Sequence, residues 1–576
     1  MKKVISIIAI SLGLVSCDLN LLPQDAISPE TFFKTESDLQ LFTNSFYNAL
    51  PSAEDIYNED VDNVVKNSLR DELQGTRVVP TNGGGWSWNT LRNINYFLAN
   101  SNKCPDTRAV AKYNGLARFF RAYFYFNMVK RFGDVPWYSQ AIEANDEAML
   151  TKARDPRTVV MDSVMADINY AIANLDASRQ VYSVTKWTAL ALKSRIGLYE
   201  GTFRKYHPEF NLPGADKFLD ESISASDELM KKSGYTIYKA TPSTAYLRLF
   251  SSDNAIPEEV ILARDFSDEL QVYHNLNYYT MTASYGRPGL EKKLVNSYLM
   301  ADGTRFTDIK GYETMQFHDE VQNRDPRLSQ TIRTPGYTRI GENTPLAPEF
   351  GATVTGYQLI KFVSAPKWDT FSKDITDMPI FRYAEVLLNY AEARAERGIL
   401  TQEDLDRSVK LVRDRVGMPN INLAKANASP DPYLADQYTQ VKGNNAGVIL
   451  EIRRERRVEL VMENFFRWDD IIRWKEGQLL TKTYKGMYFP GPGSYDLDKN
   501  GKVDLVIYEG TKPTVPGAQL LKLGSEILLE NGNKGGNIVI NGHINKKFNE
   551  ARDYLYPIPR QERLLNPNLT QNPNWE

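Results

Sequence analysis

Two cysteines in 576 residues, Cys17 and Cys104, constrain this chain more than any other feature, because they leave no disulfide framework to hold a fold together. Cys17 has another use. It follows a leader in which Lys2 and Lys3 supply positive charge, Val4 to Val15 form a largely apolar run, and Leu14-Val15-Ser16-Cys17 reads as a lipobox. The run is too short to cross a bilayer, which takes about 20 apolar residues as a helix, so residues 1–16 are expected to be a cleaved lipoprotein signal peptide. Acyl chains on the Cys17 thiol and amine would anchor the mature protein, at roughly 0.8 kcal/mol per buried methylene. With Cys17 acylated, Cys104 has no intramolecular partner and stability must come from a packed core, which a chain of this length can supply.

Past the leader no stretch of about 20 apolar residues occurs, so membrane contact is expected through lipid alone. The net charge of −3, from 69 basic and 72 acidic residues, offers no field for nucleic acid. The usual catalytic sets are missing as well. The four histidines, His207, His274, His318 and His543, lie in unrelated contexts with no His-Glu-x-x-His helix, and no phosphate-binding glycine loop or Gly-x-Ser-x-Gly elbow is evident. A pair of glycosidase carboxylates could still hide among the acids, since spacing in sequence does not reveal separation in space. The expectation is a binding protein with no required cofactor and no enzymatic activity.

Hydrophobic spacing predicts a mainly α-helical fold. Residues 17–35, polar with Pro23 and Pro29, read as a lipid-anchored tether, 36–234 as an N-terminal helical part, and 235–576 as a loop-rich ligand-binding part with C-terminal helices, interlocked with the first. Leu91, Ile94, Phe97 and Leu98 share a helical face, and Leu116, Phe119, Phe120, Tyr123, Phe124, Asn127, Met128 and Phe132 continue the 3.6-residue period. Gly133-Asp134-Val135-Pro136 should stop that helix with an αL glycine. Further helices are expected at 157–175 and 185–203, paired like tetratricopeptide repeats, although no strict 34-residue repeat occurs. From 235 to 368 aromatics, glycines and prolines crowd together, predicting long irregular loops and short strands, including Tyr278 to Gly286; another loop-rich stretch runs from 484 to 547. Helix returns at 381–397, 404–416 and 448–474.

Four segments in this order resemble the SusD/RagB family of nutrient-binding outer-membrane lipoproteins of Bacteroidetes. They are Phe119 to Phe126 leading into Arg131-Phe132-Gly133-Asp134-Val135-Pro136; Met378 to Ala393; Arg453 to Leu460 with Phe466 to Trp474; and Pro557-Ile558-Pro559 with Asn566 to Asn572. The resemblance implies tetratricopeptide-like helix pairs over a SusC-like TonB-dependent transporter, with a glycan or peptide as cargo and the outer membrane as the site of anchoring. The segments themselves read as structural: their apolar members lie at helix spacing, and their Arg and Glu members can pair across helices.

Candidate binding residues are aromatics in flexible loops. A sugar ring stacks its apolar C–H face on a tryptophan or tyrosine, while its hydroxyls need planar amide or charged partners at the edge. Gly83-Gly84-Gly85-Trp86-Ser87-Trp88-Asn89 offers two tryptophans and an amide after a glycine run. The resemblance implies that this region supplies one stacking aromatic, Trp86 or Trp88, and a hydrogen-bonding Asn89. Tyr285 and Trp368 are the next candidates, and for each of these aromatics the alternative is simple loop packing. A helical interaction module with no small ligand is the competing function, favoured if the concave helical face lacks accessible aromatics. A separate motif, Asp496, Asp498, Asn500, the Lys502 carbonyl and Asp504, follows the first part of a calcium loop with Gly501 at its sixth position. Position 12 is Ile507 where such a loop needs a bidentate Glu. Either a structural calcium site or an Asp/Asn/Gly turn between strands fits.

Overall fold

Gly197 and Gly201 let the helices of the N-terminal part approach closely. They lie one turn apart on the Lys186–Tyr206 helix, where a Cβ on Gly197 would stand 2.6 Å from the Phe218 carbonyl oxygen and one on Gly201 2.7 Å from Leu219 Cγ. The neighbouring Ala215–Lys232 helix therefore packs backbone to backbone. Ser194 meets Ser226 at 2.7 Å, while Gly201 faces Leu219, so the two helices run antiparallel. Thr107–Phe132 and Arg157–Asn174 form a second antiparallel pair, with Gly115 against Ala171 and Arg121 against Asp167.

The computed structural model describes residues 32–57, 59, 61–143 and 145–575. Cys17, the leader and most of the tether expected over 17–35 lie outside them. Helix takes up 43% of the described residues and strand 9%, so the fold is mainly helical with few, short strands, as the spacing predicts. Val260–Arg264 pairs antiparallel with Met378–Arg382, and Tyr484–Phe489 with Gly536–Ile540. Gly493–Tyr495, Leu505–Tyr508 and Gln519–Lys522 form a three-stranded sheet. Buried side chains from Phe33 through Tyr298 and Trp474 to Leu569 join one connected core that includes residues from both sides of position 234. Among the described residues no helix is long and apolar enough to cross a membrane.

Four local expectations need correction. The helix predicted over 448–474 is two, Ala446–Glu459 and Phe466–Arg473, with Met462, Asn464 and Phe465 at positive φ between them. Buried side chains take the carbonyls that would continue it: Arg382 and Tyr246 donate to Glu459 O at 2.8 and 2.7 Å, and Lys361 to Val461 O at 2.7 Å. The segment 404–416 likewise splits into Gln402–Asp406 and Val409–Asp414, where Ser408 Oγ bonds back to the Asp404 carbonyl. Tyr278 to Gly286 is not irregular but helical over Leu276–Met281 with a 3₁₀ turn at Ala283–Tyr285; Asp374 accepts from Asn277 N at 2.9 Å and so ties down the helix start. Gly133 does end its helix, but at φ +71° and ψ −112°, outside the αL basin.

The four signature segments bind the structure together. Arg195 pairs with Glu385 at 2.7 Å, Arg456 with Asp470 at 2.9 Å, and Arg473 with Glu392 at 2.6 Å. Arg467 and Arg457 both hold Asp62. At the C-terminal end, Asn572 Nδ2 caps Phe132 O at 2.9 Å and its Oδ1 accepts from Arg154 at 2.7 Å, so the tail clamps the end of the Thr107–Phe132 helix.

Candidate ligand-binding site

The Gly83–Asn89 segment makes a tight turn into the helix Asn89–Asn100, with Trp86 N donating to Gly83 O and Ser87 N to Gly85 O. Gly85 has φ +85°, and a Cβ there would fall 2.7 Å from Arg131 Nε, so a side chain at this position would break the turn. The turn treats its tryptophans differently. Trp86 is only 7% exposed and stands edge-on to Trp88 at 5.3 Å and to Phe132 at 4.9 Å. Trp88 is half-buried, with its ring against Tyr138 at 5.5 Å and Phe124 at 5.7 Å. Asn89 is exposed, and its amide has no hydrogen-bond partner among the described residues.

These three residues line one cavity of about 630 Å³, shared with Tyr138, Ile142, Leu150, Leu565 and Leu569. Its far wall is braced from the first signature helix. Arg121 is bidentate to Asp167 at 2.6 and 2.8 Å and also donates to Asn95 Oδ1 at 3.1 Å. Asn95 Nδ2 in turn donates to the carbonyls of Tyr138 and Gln140 at 2.9 and 3.1 Å. Burial, helped by Asp155, pushes the Tyr138 hydroxyl up to about 12, so it remains a neutral donor and acceptor at neutral pH. An apolar ring platform beside a free amide suits a ligand with one apolar face and a polar edge.

Tyr285 and Trp368 do not line this cavity. Tyr285 stacks on Tyr279 at 3.8 Å, and Tyr278 bridges it to Phe371 with edge contacts of 6.0 and 5.5 Å. Trp368 ends the Pro366–Trp368 turn under Lys367; the following Asp369 accepts from Asn277 at 2.8 Å, joining this loop to the Tyr278 helix. The aromatics singled out in the sequence thus fall at two loci. The walls from Tyr138, Ile142 and the Leu565 region were not legible in sequence, because they lie about 50 and more than 470 residues from Trp88 and carry no motif.

The Asp496–Asp504 segment is a loop between the strands Gly493–Tyr495 and Leu505–Tyr508. Carboxylate oxygens of Asp496, Asp498 and Asp504 lie within 4.8 Å of one another. Burial, together with Asp498 and Asp496, pushes Asp504 above the usual carboxylate range, and a divalent cation would relieve that repulsion. Part of the ligand capacity is already used: Asn500 N and Gly501 N donate to Asp496, Leu497 N to Asp504, and Lys502 N to Asn500 Oδ1. Ile507 is buried and supplies no oxygen.

Antiparallel helix pairs carrying an aromatic-walled cavity at a glycine turn define the class: a helical scaffold built around a concave pocket. The chain belongs to the SusD family, whose model matches residues 258–575, more than half of its length. A second model, described as "Starch-binding associating with outer membrane", matches residues 30–190. SusD-like protein P2 of Formosa agariphila is 23% identical over 600 residues, covering 99% of each chain, and SusD-like protein P38 of the same organism is 23% identical over 495 residues, covering 81% of this chain and 90% of P38. Among solved structures, a SusD-like protein from Bacteroides fragilis superposes with a TM-score of 0.70 at 21% identity over 96% of this chain and 100% of the other. A SusD-like carbohydrate-binding protein from the same species gives 0.69 at 20% identity, over 94% and 100%.

Proposed function

We propose that this protein captures an oligosaccharide at the cell surface and passes it to a TonB-dependent outer-membrane transporter of the SusC type, acting without catalysis. The observation that carries the reading is the half-buried Trp88 ring beside the unpartnered Asn89 amide in the 630 Å³ cavity. Trp88 is the platform in this reading, because Trp86 is too buried to offer a face. Family membership and the starch-binding description of the N-terminal match support a glycan over a peptide, and the carbohydrate-binding relative of similar fold points the same way. Anchoring through Cys17 would hold the scaffold at the outer membrane. A glycan array on the soluble chain beginning after Cys17, followed by calorimetry on the best ligand with Trp88→Ala, tests the capture step. Binding that survives unchanged in the folded variant moves the site away from Trp88, to Tyr285, Trp368 or elsewhere, and a purely peptidic ligand sinks the glycan assignment. Co-purification of a barrel protein with the lipidated chain tests the hand-off. The Asp496–Asp504 loop is proposed as a structural calcium site, supported by its three converging carboxylates.

A further inference from the structure

A second cavity, of about 560 Å³, opens on the other side of the same glycine turn: Gly84 lines it, whereas Trp86, two residues on, lines the first. Its chemistry is different. Three guanidinium groups, from Arg70, Arg77 and Arg131, gather around Tyr556. Arg131 lies 3.7 Å and Arg77 4.8 Å from the centre of that ring, whose hydroxyl donates to Glu72 at 2.7 Å. Two of the three cations have carboxylate partners. Arg70 pairs with Glu72 at 3.1 Å, and Arg77 with Asp553 at 3.0 Å.

Arg131 has none. Among the described residues its only hydrogen bond runs from Nε to Gly84 O at 2.7 Å, which leaves both terminal nitrogens, the pair that forms half of a bidentate fork, without an acceptor. Arg77 is 93% buried by its side chain, which is 7% exposed, yet its Nη1 also finds no partner. Asp71 on the rim is exposed and makes no ion pair among the described residues. Burial, opposed by Tyr556 and Glu72 and helped by Arg70 and Arg77, holds the Arg131 guanidinium below its ordinary value. Such a site keeps an unmatched positive group in a concave, partly dry setting, where a planar carboxylate or a sulfate would complete its hydrogen bonds.

Resting on the capture reading above, we propose that this arginine cavity binds the carboxylate or sulfate group of an acidic saccharide, so that the cargo is an anionic glycan. Arg131→Met removes the charge and the guanidinium that lies over Tyr556 but keeps an unbranched apolar stem in its place. Two arms test it. In thermal denaturation at fixed ionic strength, sodium glucuronate or sodium sulfate should raise the melting temperature of the wild type more than that of Arg131→Met, the general stabilisation by excluded salts being common to both proteins; the anion that gives the larger difference separates a uronate from a sulfate ester. On an array of acidic glycans paired with their carboxyl-reduced or desulfated forms, the wild type should prefer the acidic member by about tenfold, the scale of one charge-assisted contact. Arg131→Met should lose that preference and bind the acidic and neutralised members alike. A preference that persists in Arg131→Met, or anions that shift both proteins equally, overturns the proposal. Equal binding of acidic and neutralised glycans overturns it too and leaves capture standing. An anion response with no glycan bound supports the anion site and sinks capture at Trp88. If Arg131→Met does not fold, Arg131→Lys, which keeps the charge and loses the fork, should weaken the acidic preference at least threefold, and an unchanged preference there counts against the site.

Discussion

Replacing Glu459 by Gln should destabilise the protein by about 3–5 kcal/mol, the cost of breaking a buried ion pair by removing one partner. Glu459 is fully buried and accepts from three arginines: Arg382 at 2.6 Å, Arg415 at 2.7 Å and Arg327 at 3.0 Å. Those arginines belong to a buried cluster in which Arg327, Arg382, Arg413, Arg415 and Lys361 face Asp325, Glu259, Glu455, Glu459 and Glu463. Glutamine has nearly the same shape, so the loss is one of charge and acceptors, and it leaves a cation excess where water cannot reach. Burial disfavours the Glu459 carboxylate, but Arg415, Arg382 and Arg327 hold it well below its ordinary value of 4.5. A group depressed in this way contributes stability above its unfolded value and loses it as pH falls through the folded one. The gap between wild type and variant should therefore be constant from pH 8 to pH 5 and close only in strong acid. Urea unfolding at several pH values, with midpoints compared at unchanged slope, measures this. Disrupting the exposed pair of Lys217 and Asp162, at 62% and 63% exposure, serves as the control and should cost no more than about 1 kcal/mol. A Glu459→Gln loss no larger than the control would refute the argument that this buried pairing stabilises the fold.

Trp88→Ala should weaken glycan binding by about 1–3 kcal/mol in calorimetry with the fold intact, and Asn89→Ala by about 0.5–1.5 kcal/mol. Trp86→Ala should instead lower stability by about 3–5 kcal/mol, since it empties a packed core position; a folded Trp86→Ala of normal stability counts against its burial. Burial raises the Glu59 carboxyl from 4.5 to about 8, against the pull of Asn63 and Lys361, so its contribution is present below pH 4.5 and lost as pH rises toward 8. Glu59→Gln should consequently be more stable than wild type at pH 8, by on the order of 3 kcal/mol, and equal near pH 4; parallel pH profiles would show that Glu59 is ionised. Calcium should raise the melting temperature by mass action and Asp498→Asn should abolish the rise, whereas identical curves with calcium and chelator leave the loop as a plain turn. Cys17→Ala should leave the membrane fraction or remain unprocessed, and a variant that is processed and still membrane-bound points to another anchor.

The sequence by itself determined the helical class and much of the local structure, because helix formation is governed by the period of apolar residues and by neighbours along the chain. Leu91, Ile94 and Phe97 fall on the buried face that their spacing predicts, and Thr107–Phe132 ends at Gly133. The Arg and Glu residues of the signature segments could be assigned a pairing role from spacing, but not partners: Arg467 reaches Asp62, about 400 residues away. Where tertiary contacts compete with local bonding, the pattern misleads. The interruption between Glu459 and Phe466 comes from Arg382, Tyr246 and Lys361 claiming its carbonyls, and no periodicity at 448–474 contains that information. The same holds for the pocket. Glycines and tryptophans at 83–88 marked a place, but Trp86 is core and Trp88 half-open only because Phe132, Tyr138 and the 565–569 segment fold around them. The unpartnered fork of Arg131 was equally invisible, since a missing partner is a property of the whole surrounding surface and no single stretch of chain encodes it.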